Sequence, residues 1–404
     1  MVVLSALVNT EVRALRSRPI SNGMKIALVG GGTGGHFYPL IAVAEAIEDT
    51  CEEKRLLEPQ LVYISPTVFD TEALFEHSII YKPTSAGRVR RYASALNILD
   101  IFRTAFGIIR AIPQLFSVYP DVIFSTGGYA AFPVLVAARI LAIPVIIYDA
   151  DARPGRVSLW SAKFAKAIAV AHPEAASQFP EKVRHNIART GHPIRKEILG
   201  VAKEGGYEFL HLDGAVPTVL FMGGSQGAKA LNESVLDALP ELLRAYNVVH
   251  QTGKAHIDEV TKISSVVLRN VANPERYRPF GLLNTLSLRM AAGAASVIVA
   301  RAGSGTIFEI ASWGIPSILV PIPQAVSHDQ TENAFSYARA GGAVVIEQHN
   351  LTPHLLAAEI DRLMGNADLK AKMEKAAKQF ARPDAARKIA RMLLDVGLEH
   401  EPEE

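Results

Sequence analysis

The chain has 404 residues, 49% hydrophobic and 20% charged, a length too great for one compact core and a composition that excludes collagen-like, coiled-coil and wholly disordered chains. Its lone cysteine, Cys51, has no partner within the chain, which excludes a disulfide scaffold and fits a reducing cytoplasm. Forty-two Lys and Arg against 40 Asp and Glu leave a net charge of +2, too small to draw nucleic acid by bulk electrostatics; any anionic surface must be met by a local patch.

Met1 to Val8 is apolar, but its charges (Glu11, Arg13, Arg16, Arg18) follow it, the reverse of a secretory signal, so residues 1–23 read as an N-terminal extension and Met24 as the start of the fold. Apolar β-branched runs then alternate with segments of helical period, the pattern of a parallel sheet covered by helices. Strands are expected at Lys25–Gly30, Gln60–Ser65, Asp121–Ser125, Val145–Tyr148, Ala167–Ala171 and Ile187–Thr190. A polar interval from Lys196 to Val216 breaks the rhythm. It restarts with Pro217–Met222, Asn247–Thr252, Ser296–Ala300, Ser317–Val320 and Ala343–Ile346. Two α/β domains follow, over 24–196 and 197–382, with an amphipathic helix and tail over 383–404 that can pack back on the first. Ala130 to Tyr148 is the longest apolar stretch, but Arg139, Pro133 and Pro144 interrupt it, so it reads as a buried helix and a strand, and no transmembrane helix is expected.

Each half opens with a strand running into a glycine cluster and then a helix: Gly30-Gly31-Gly32-Thr33-Gly34-Gly35-His36, and Gly223-Gly224-Ser225-Gln226-Gly227-Ala228. Glycines admit positive φ and close approach of a ligand, and a helix amino end offers unpaired N–H groups, a combination suited to a phosphate or diphosphate. Glycine for packing alone is the competing reading. A dinucleotide fold would want an acid at the end of the second strand, where this chain has Tyr63-Ile64-Ser65-Pro66, and no Gly-Lys-Ser or Gly-Lys-Thr closes the first cluster; nicotinamide, flavin and ATP hydrolysis are disfavoured. The crevice at the carboxyl ends of the two sheets is the default ligand site. In Arg301-Ala302-Gly303-Ser304-Gly305-Thr306-Ile307-Phe308-Glu309, small residues at a helix start can seat a diphosphate and Glu309 can accept from two ribose hydroxyls, while Gln330 and Asn333 share a helix face and can read sugar hydroxyls.

Gly-Gly-Thr-Gly-Gly-His at 31–36, Gly-Gly-Tyr at 127–129, Gly-His-Pro-Ile-Arg at 191–195, Gly-Gly-Ser-Gln-Gly-Ala at 223–228, His-Gln-Thr-Gly-Lys at 250–254 and the stretch from Gly303 to Ala334 are specific together. From Met24 onward the chain resembles the membrane-associated glucosaminyltransferases of peptidoglycan synthesis (the MurG family), which add N-acetylglucosamine to undecaprenyl-diphospho-N-acetylmuramoyl-pentapeptide to make lipid II. The resemblance implies a GT-B fold of two Rossmann-like domains facing across a cleft, the nucleotide sugar held mainly by the second and the lipid acceptor by the first. By position it implies Thr33, Gly34 and Gly35 near the donor diphosphate and sugar. Arg195 and Ser225 would hold the nucleotide and Glu309 its ribose; Ser304, Gly305 and Thr306 would line the diphosphate and sugar, and Gln330 and Asn333 would read the sugar. The resemblance also implies one inverting displacement without a required cofactor.

Such a displacement needs a base at the acceptor hydroxyl, for which His36 is the first candidate and Asp149 the second; a cap or a diphosphate donor is the other reading of His36. Where relatives show His-Glu-x-Asn this chain has Tyr148-Asp149-Ala150-Asp151, so Asp151 replaces the Asn that contacts the donor. The resulting Asp-x-Asp could hold magnesium or manganese, which is not favoured. Phe280–Ala295, where the family places a main-chain contact to uracil, is longer here, and no contact is assigned. Lys82, Arg88, Arg90, Arg91, Arg103 and Arg110 are interleaved between residues 82 and 117 with aliphatic and aromatic residues and one acid, Asp100, a composition suited to an anionic leaflet at the cytoplasmic face of the membrane, with a helix core face as the alternative. Transfer to another lipid or small-molecule acceptor, and non-catalytic binding of a nucleotide sugar, are the rival functions.

Overall fold

The computed structural model describes residues 23–87, 96–224, 227–325 and 328–399; residues 1–22 of the N-terminal extension, Arg88, Arg90, Arg91, Ser225 and Gln226 lie outside the described residues. In the first unit the β-branched runs form β1 (Lys25–Val29), β2 (Gln60–Ser65), β3 (Ile80–Pro83), β4 (Val122–Ser125), β5 (Val145–Asp149), β6 (Ala167–Val170) and β7 (Ile187–Arg189). They pair in parallel in the order β3-β2-β1-β4-β5-β6-β7. The second unit holds β8 (Thr218–Met222), β9 (Asn247–Gln251), β10 (Tyr277–Phe280), β11 (Ala295–Ala300), β12 (Ser317–Leu319) and β13 (Ala343–Val345), also parallel, in the order β10-β9-β8-β11-β12-β13. Helices cover both faces of each sheet, so the central strands are buried on both sides and read as unbroken apolar runs. Two strands, β3 and β10, are additions to those expected from sequence. Both are edge strands carrying a proline (Pro83, Pro279), where a missing ladder donor is tolerated and the apolar signal is weakest.

In each sheet the strand order reverses once, between β1 and β4 and between β8 and β11. At such a point the connections leave in opposite directions and open a crevice outside the strand carboxyl ends. Both glycine clusters follow the first strand of their reversal, β1 and β8.

The first unit contains the described residues up to Arg195 and those from Asp384; the second is Lys196–Pro383. The Ala385–Leu398 helix buries Ile389, Ala390, Leu393 and Leu394 and packs on the Gly34–Lys54 helix, with Arg387 paired to Glu53 at 3.0 Å. It thereby braces the helix whose amino end carries His36.

Ala130–Tyr148 supplies the Gly128–Ile140 helix and β5. Among the described residues, the helix long and apolar enough to cross a membrane by length and composition is a different one, Leu99–Val118, part of the Leu96–Val118 helix. Ala111, Leu115 and Val118 on it belong to the first unit's core, and Gly107 lies so close to the Ser85 carbonyl that a Cβ would collide with it. That seating is the arrangement of a covering helix, and it leaves Leu99, Ile101, Phe102, Phe106, Ile109 and Phe116 exposed.

Leu393→Ala removes a fully buried side chain from the brace and should cost about 2–5 kcal/mol in the urea transition of the first unit. Arg387→Ala, which breaks only a half-exposed ion pair, should cost less than about 1 kcal/mol. Equal losses for the two variants would contradict this packing.

Candidate functional site

At the first reversal, β1 runs into a turn in which Gly31 and Gly32 take φ of 125° and 86°, a conformation L side chains rarely adopt. The turn delivers the chain into the Gly34–Lys54 helix. Its N-cap, Thr33, makes no side-chain capping bond and its first turn carries no acidic residue, so the amino end keeps its positive character for a ligand. Gly32, Thr33 and Gly35 are exposed.

His36 sits in this first turn and is gripped twice by Thr126 from the end of β4. Its Nδ1 lies 2.9 Å from the Thr126 carbonyl oxygen, and the Thr126 hydroxyl donates to the His36 carbonyl at 2.7 Å. A carbonyl only accepts, so Nδ1 carries a proton, and the tautomer this selects leaves Nε2 as the acceptor. Gly128, at φ 75°, keeps that edge clear: a Cβ there would stand 3.2 Å from Nε2 and Cδ2. Thr126 escaped the sequence reading because only its neighbours 127–129 belonged to a motif.

Asp149 is placed differently. It is buried at the end of β5, with Oδ1 accepting from the Asp151 N–H at 3.2 Å, Oδ2 from the Gly155 N–H at 3.0 Å, and a further bond from Ser158. Burial, with the Asp151 charge second, pushes its carboxyl up to about 7. Its oxygens are engaged in shaping the 150–155 turn that presents half-buried Asp151. No group of three or more His, Cys, Asp or Glu able to hold a metal is gathered among the described residues.

Beside it, the Tyr148 hydroxyl and His192 Nδ1 are paired at 2.6 Å, both fully enclosed, and burial pulls His192 down to about 3. The pair anchors the Gly191–Ile194 segment, after which the Arg195 guanidinium lies over the Tyr38 ring, 4.0 Å from its centroid. The tyrosine that departs from the family pattern is therefore part of what places Arg195. Its partner lies 44 residues away and gave no local signal.

In the second unit, β11 runs through Arg301, Ala302 and Gly303 into the Ser304–Trp313 helix. Gly303 is its N-cap, without a side-chain bond, and no acid stands in its first turn. Ser304 is buried, while Gly305, Thr306 and Glu309 are half-buried. Gln330 accepts the Ile322 N–H on Oε1 at 3.1 Å, which turns its amide donor toward other partners. Asn333 is fully buried and donates to the Ala302 carbonyl at 3.4 Å, bracing the approach to the helix start. A buried relay supports the other side of this sheet: His250 bonds Tyr277 at 3.0 Å and Asn232 at 3.1 Å, and Asn232 donates to the Thr252 carbonyl at 3.0 Å, holding the His-Gln-Thr-Gly-Lys segment. Ser225 lies outside the described residues.

The Asp149 placement has a consequence for pH. Folded Asp149 keeps a proton that an unfolded Asp, at 3.8, has released, so stability declines as pH rises from 3.8 to about 7. Asp149→Asn lacks that slope, and urea titrations of both proteins should diverge in the variant's favour across this window; parallel profiles would refute the placement.

Residues 26–170 match the glycosyltransferase family 28 N-terminal domain and residues 218–389 the glycosyltransferase family 28 C-terminal domain. The UDP-N-acetylglucosamine–N-acetylmuramyl-(pentapeptide) pyrophosphoryl-undecaprenol N-acetylglucosamine transferase of Treponema denticola is 33% identical over 346 residues, covering 82% of this chain and 85% of that one. The enzyme of the same name from Symbiobacterium thermophilum is 32% identical over 382 residues, covering 92% and 96%. The crystal structure of Acinetobacter baumannii MurG superposes with a TM-score of 0.69 at 26% identity, over 92% of this chain and all of that one. With both domain matches and these full-length likenesses, the chain belongs to glycosyltransferase family 28, among the MurG enzymes, with the two parallel α/β domains of the GT-B fold.

Proposed function

We propose that this chain transfers N-acetylglucosamine from UDP-N-acetylglucosamine to the 4-hydroxyl of the muramoyl sugar in undecaprenyl-diphospho-N-acetylmuramoyl-pentapeptide, giving lipid II and UDP with inversion. The observation that carries the mechanism is the geometry of His36. Nδ1 is fixed on a carbonyl and Nε2 is kept open by a glycine, the arrangement a general base requires. As the acceptor oxygen forms its bond to the anomeric carbon, its proton passes to Nε2. The bond from that carbon to the β-phosphate oxygen breaks on the opposite face. The imidazolium is stabilised by the bond it already makes to Thr126.

The departing UDP gains charge, which backbone N–H groups oriented in advance stabilise without reorganisation. The uncapped start of the Ser304–Trp313 helix supplies them through Ser304, Gly305 and Thr306. Glu309, in the second turn of that helix, takes the ribose hydroxyls and Gln330 the sugar, while the motif role of Asn333 toward the sugar is exercised from its buried place behind the helix start. In the first unit Thr33, Gly34 and Gly35 offer N–H groups to phosphate, and Arg195, on its Tyr38 shelf, is a nucleotide-binding residue; Ser225, which lies outside the described residues, takes its nucleotide role from motif position alone. Asp149 serves by shaping the turn that carries Asp151 into donor contact. No step needs a metal.

The outer face of the Leu96–Val118 helix supports a membrane-bound acceptor. Leu99, Phe102, Phe106 and Ile109 recur at helical spacing on an exposed stripe, with Arg103 and Arg110 on the same helix. Apolar side chains beside cations seat a protein on an anionic leaflet, with each charge worth about 1 kcal/mol near the surface. We therefore place the enzyme peripherally on the cytoplasmic membrane face; Lys82 adds to this patch and Arg88, Arg90 and Arg91 lie outside the described residues.

UDP release from UDP-N-acetylglucosamine should depend on the lipid-linked muramoyl-pentapeptide; release with a different lipid-diphosphate sugar and none with this one would favour the rival acceptor. His36→Ala should lower kcat by roughly 100- to 10,000-fold while UDP affinity stays within about twofold; near-normal turnover would remove His36 as the base. In flotation with anionic vesicles, Phe102→Asp combined with Phe106→Asp should abolish most binding while activity on a detergent-dispersed acceptor persists, and unchanged flotation would refute the membrane face.

A further inference from the structure

The segment from Pro66 to Ile79, which joins β2 to β3, has no part in the roles above, yet it lies on the helix that carries His36. At its start Phe69 stands over the first helical turn: a Cβ built on Gly34 would come within 3.0 Å of the Phe69 ring. Phe69 also meets the Tyr38 ring edge-on, with centroids 5.5 Å apart. Asp70 caps the Thr71–Glu76 helix by accepting the Ala73 N–H at 3.2 Å, and it accepts the Tyr38 hydroxyl at 3.5 Å.

At its other end the segment is gripped by the same Gly34–Lys54 helix. The Nδ1 of His77 lies 3.2 Å from both carboxylate oxygens of Glu48, and its Nε2 lies 3.8 Å from Oε1 of Glu45, one helical turn away. Only the imidazolium, with a proton on each nitrogen, serves both carboxylates; a neutral ring donates to one and turns a lone pair toward the other. Glu45 is 8% exposed, so repulsion there is weakly screened. Hydrogen bonding to Glu48 raises the His77 pKa above the ordinary 6.5; partial burial opposes this, and the charges of Glu48, Glu45 and Glu76 reinforce it. Glu58 joins His77 and Glu48 in lining a cavity of about 230 Å³, which adds a further carboxylate to the surroundings. Within residues 71–76, Ala73 and Leu74 are the buried side chains, while Phe75 is 86% exposed. Apolar packing of the segment is therefore thin, and the ionic grip at His77 supplies much of its hold.

We infer that His77 is a positioning residue for the acceptor side of the site: its charged ring clasps the 66–79 segment to the Gly34–Lys54 helix and so keeps Phe69 over the helix start, and the clasp relaxes as pH rises and the ring loses its proton. The sign follows from linkage, since a histidine held charged by folding stabilises below its folded pKa and ceases to do so above it. The inference rests on the reading that the first unit receives the lipid-linked acceptor, and it names a residue that reading does not use.

The test follows hydrogen–deuterium exchange of the full chain at peptides spanning residues 69–77, corrected for intrinsic rate, at about pH 6 and about pH 8.5. Wild type, His77→Gln and His77→Lys are compared, with steady-state kinetics on the lipid-linked muramoyl-pentapeptide and thermal unfolding alongside. Wild-type protection there should fall at least about threefold at the higher pH, with the Thr352–Met364 region unchanged. His77→Gln should show the low value at both pH values, and His77→Lys, a cation throughout, the high value at both. The acceptor KM should rise with each loss of protection, while kcat of the variants, compared with wild type at one pH, stays within about twofold. Wild-type protection that does not move with pH, or a pH response that persists in His77→Lys, would overturn the clasp. Protection that shifts as stated with no change in KM would overturn the positioning role. A wild type that shows the exchange pattern but turns over no muramoyl lipid defeats the acceptor reading and leaves the clasp standing.

Discussion

The arrangement depends on helix amino ends left unsatisfied by their own sequence. A helix start without a cap has orphan N–H groups and a partial positive charge, which proteins ordinarily cover with Ser, Thr, Asp or Asn. Here the helices beginning at Gly34 and Ser304 both follow a strand at a reversal of strand order, both lack a side-chain cap, and both lack an acid in the first turn. Each omission forgoes roughly 1 kcal/mol of local stability. Burial of the sheets and their covering helices sustains that loss, and a phosphate group is the natural complement to what is left open.

His36 and the segments that carry the proposed nucleotide contacts are held by buried polar partners. Thr126 determines which nitrogen of His36 faces outward, Tyr148 and His192 secure the segment leading to Arg195, and Asn232, His250 and Tyr277 secure the segment after β9. Enclosed polar networks of this kind stay rigid because every broken bond would leave a desolvated group unpaired. Asp149, the second candidate base, has both carboxylate oxygens engaged by the turn it organises.

The strands and glycine turns were legible because their signals are local: β-branched runs between breakers, and glycines where φ must be positive. The edge strands β3 and β10 were not, since Ile80–Pro83 and Tyr277–Phe280 are short and broken by proline, and only pairing with a neighbour makes them strands. The roles proposed for His36, Glu309, Gln330 and Asn333 rest on motif position. The partners that orient such residues lie 90 residues away for His36 and 31 for Asn333, and no local pattern encodes those meetings. The Leu96–Val118 helix shows the same limit in another form: its apolar residues cover every side, and only the fold separates the core face of Ala111 and Leu115 from the outward stripe of Phe102 and Phe106.

The central claim is that backbone N–H groups at the start of the Ser304–Trp313 helix receive the donor's diphosphate. Hydrogen–deuterium exchange with and without saturating UDP-N-acetylglucosamine tests it directly, read at peptides resolving residues 301–309. The account predicts strong new protection at Gly305 and Thr306, with protection at the Thr352–Met364 region unchanged. Unaltered exchange at 304–306 alongside clear protection elsewhere would contradict it.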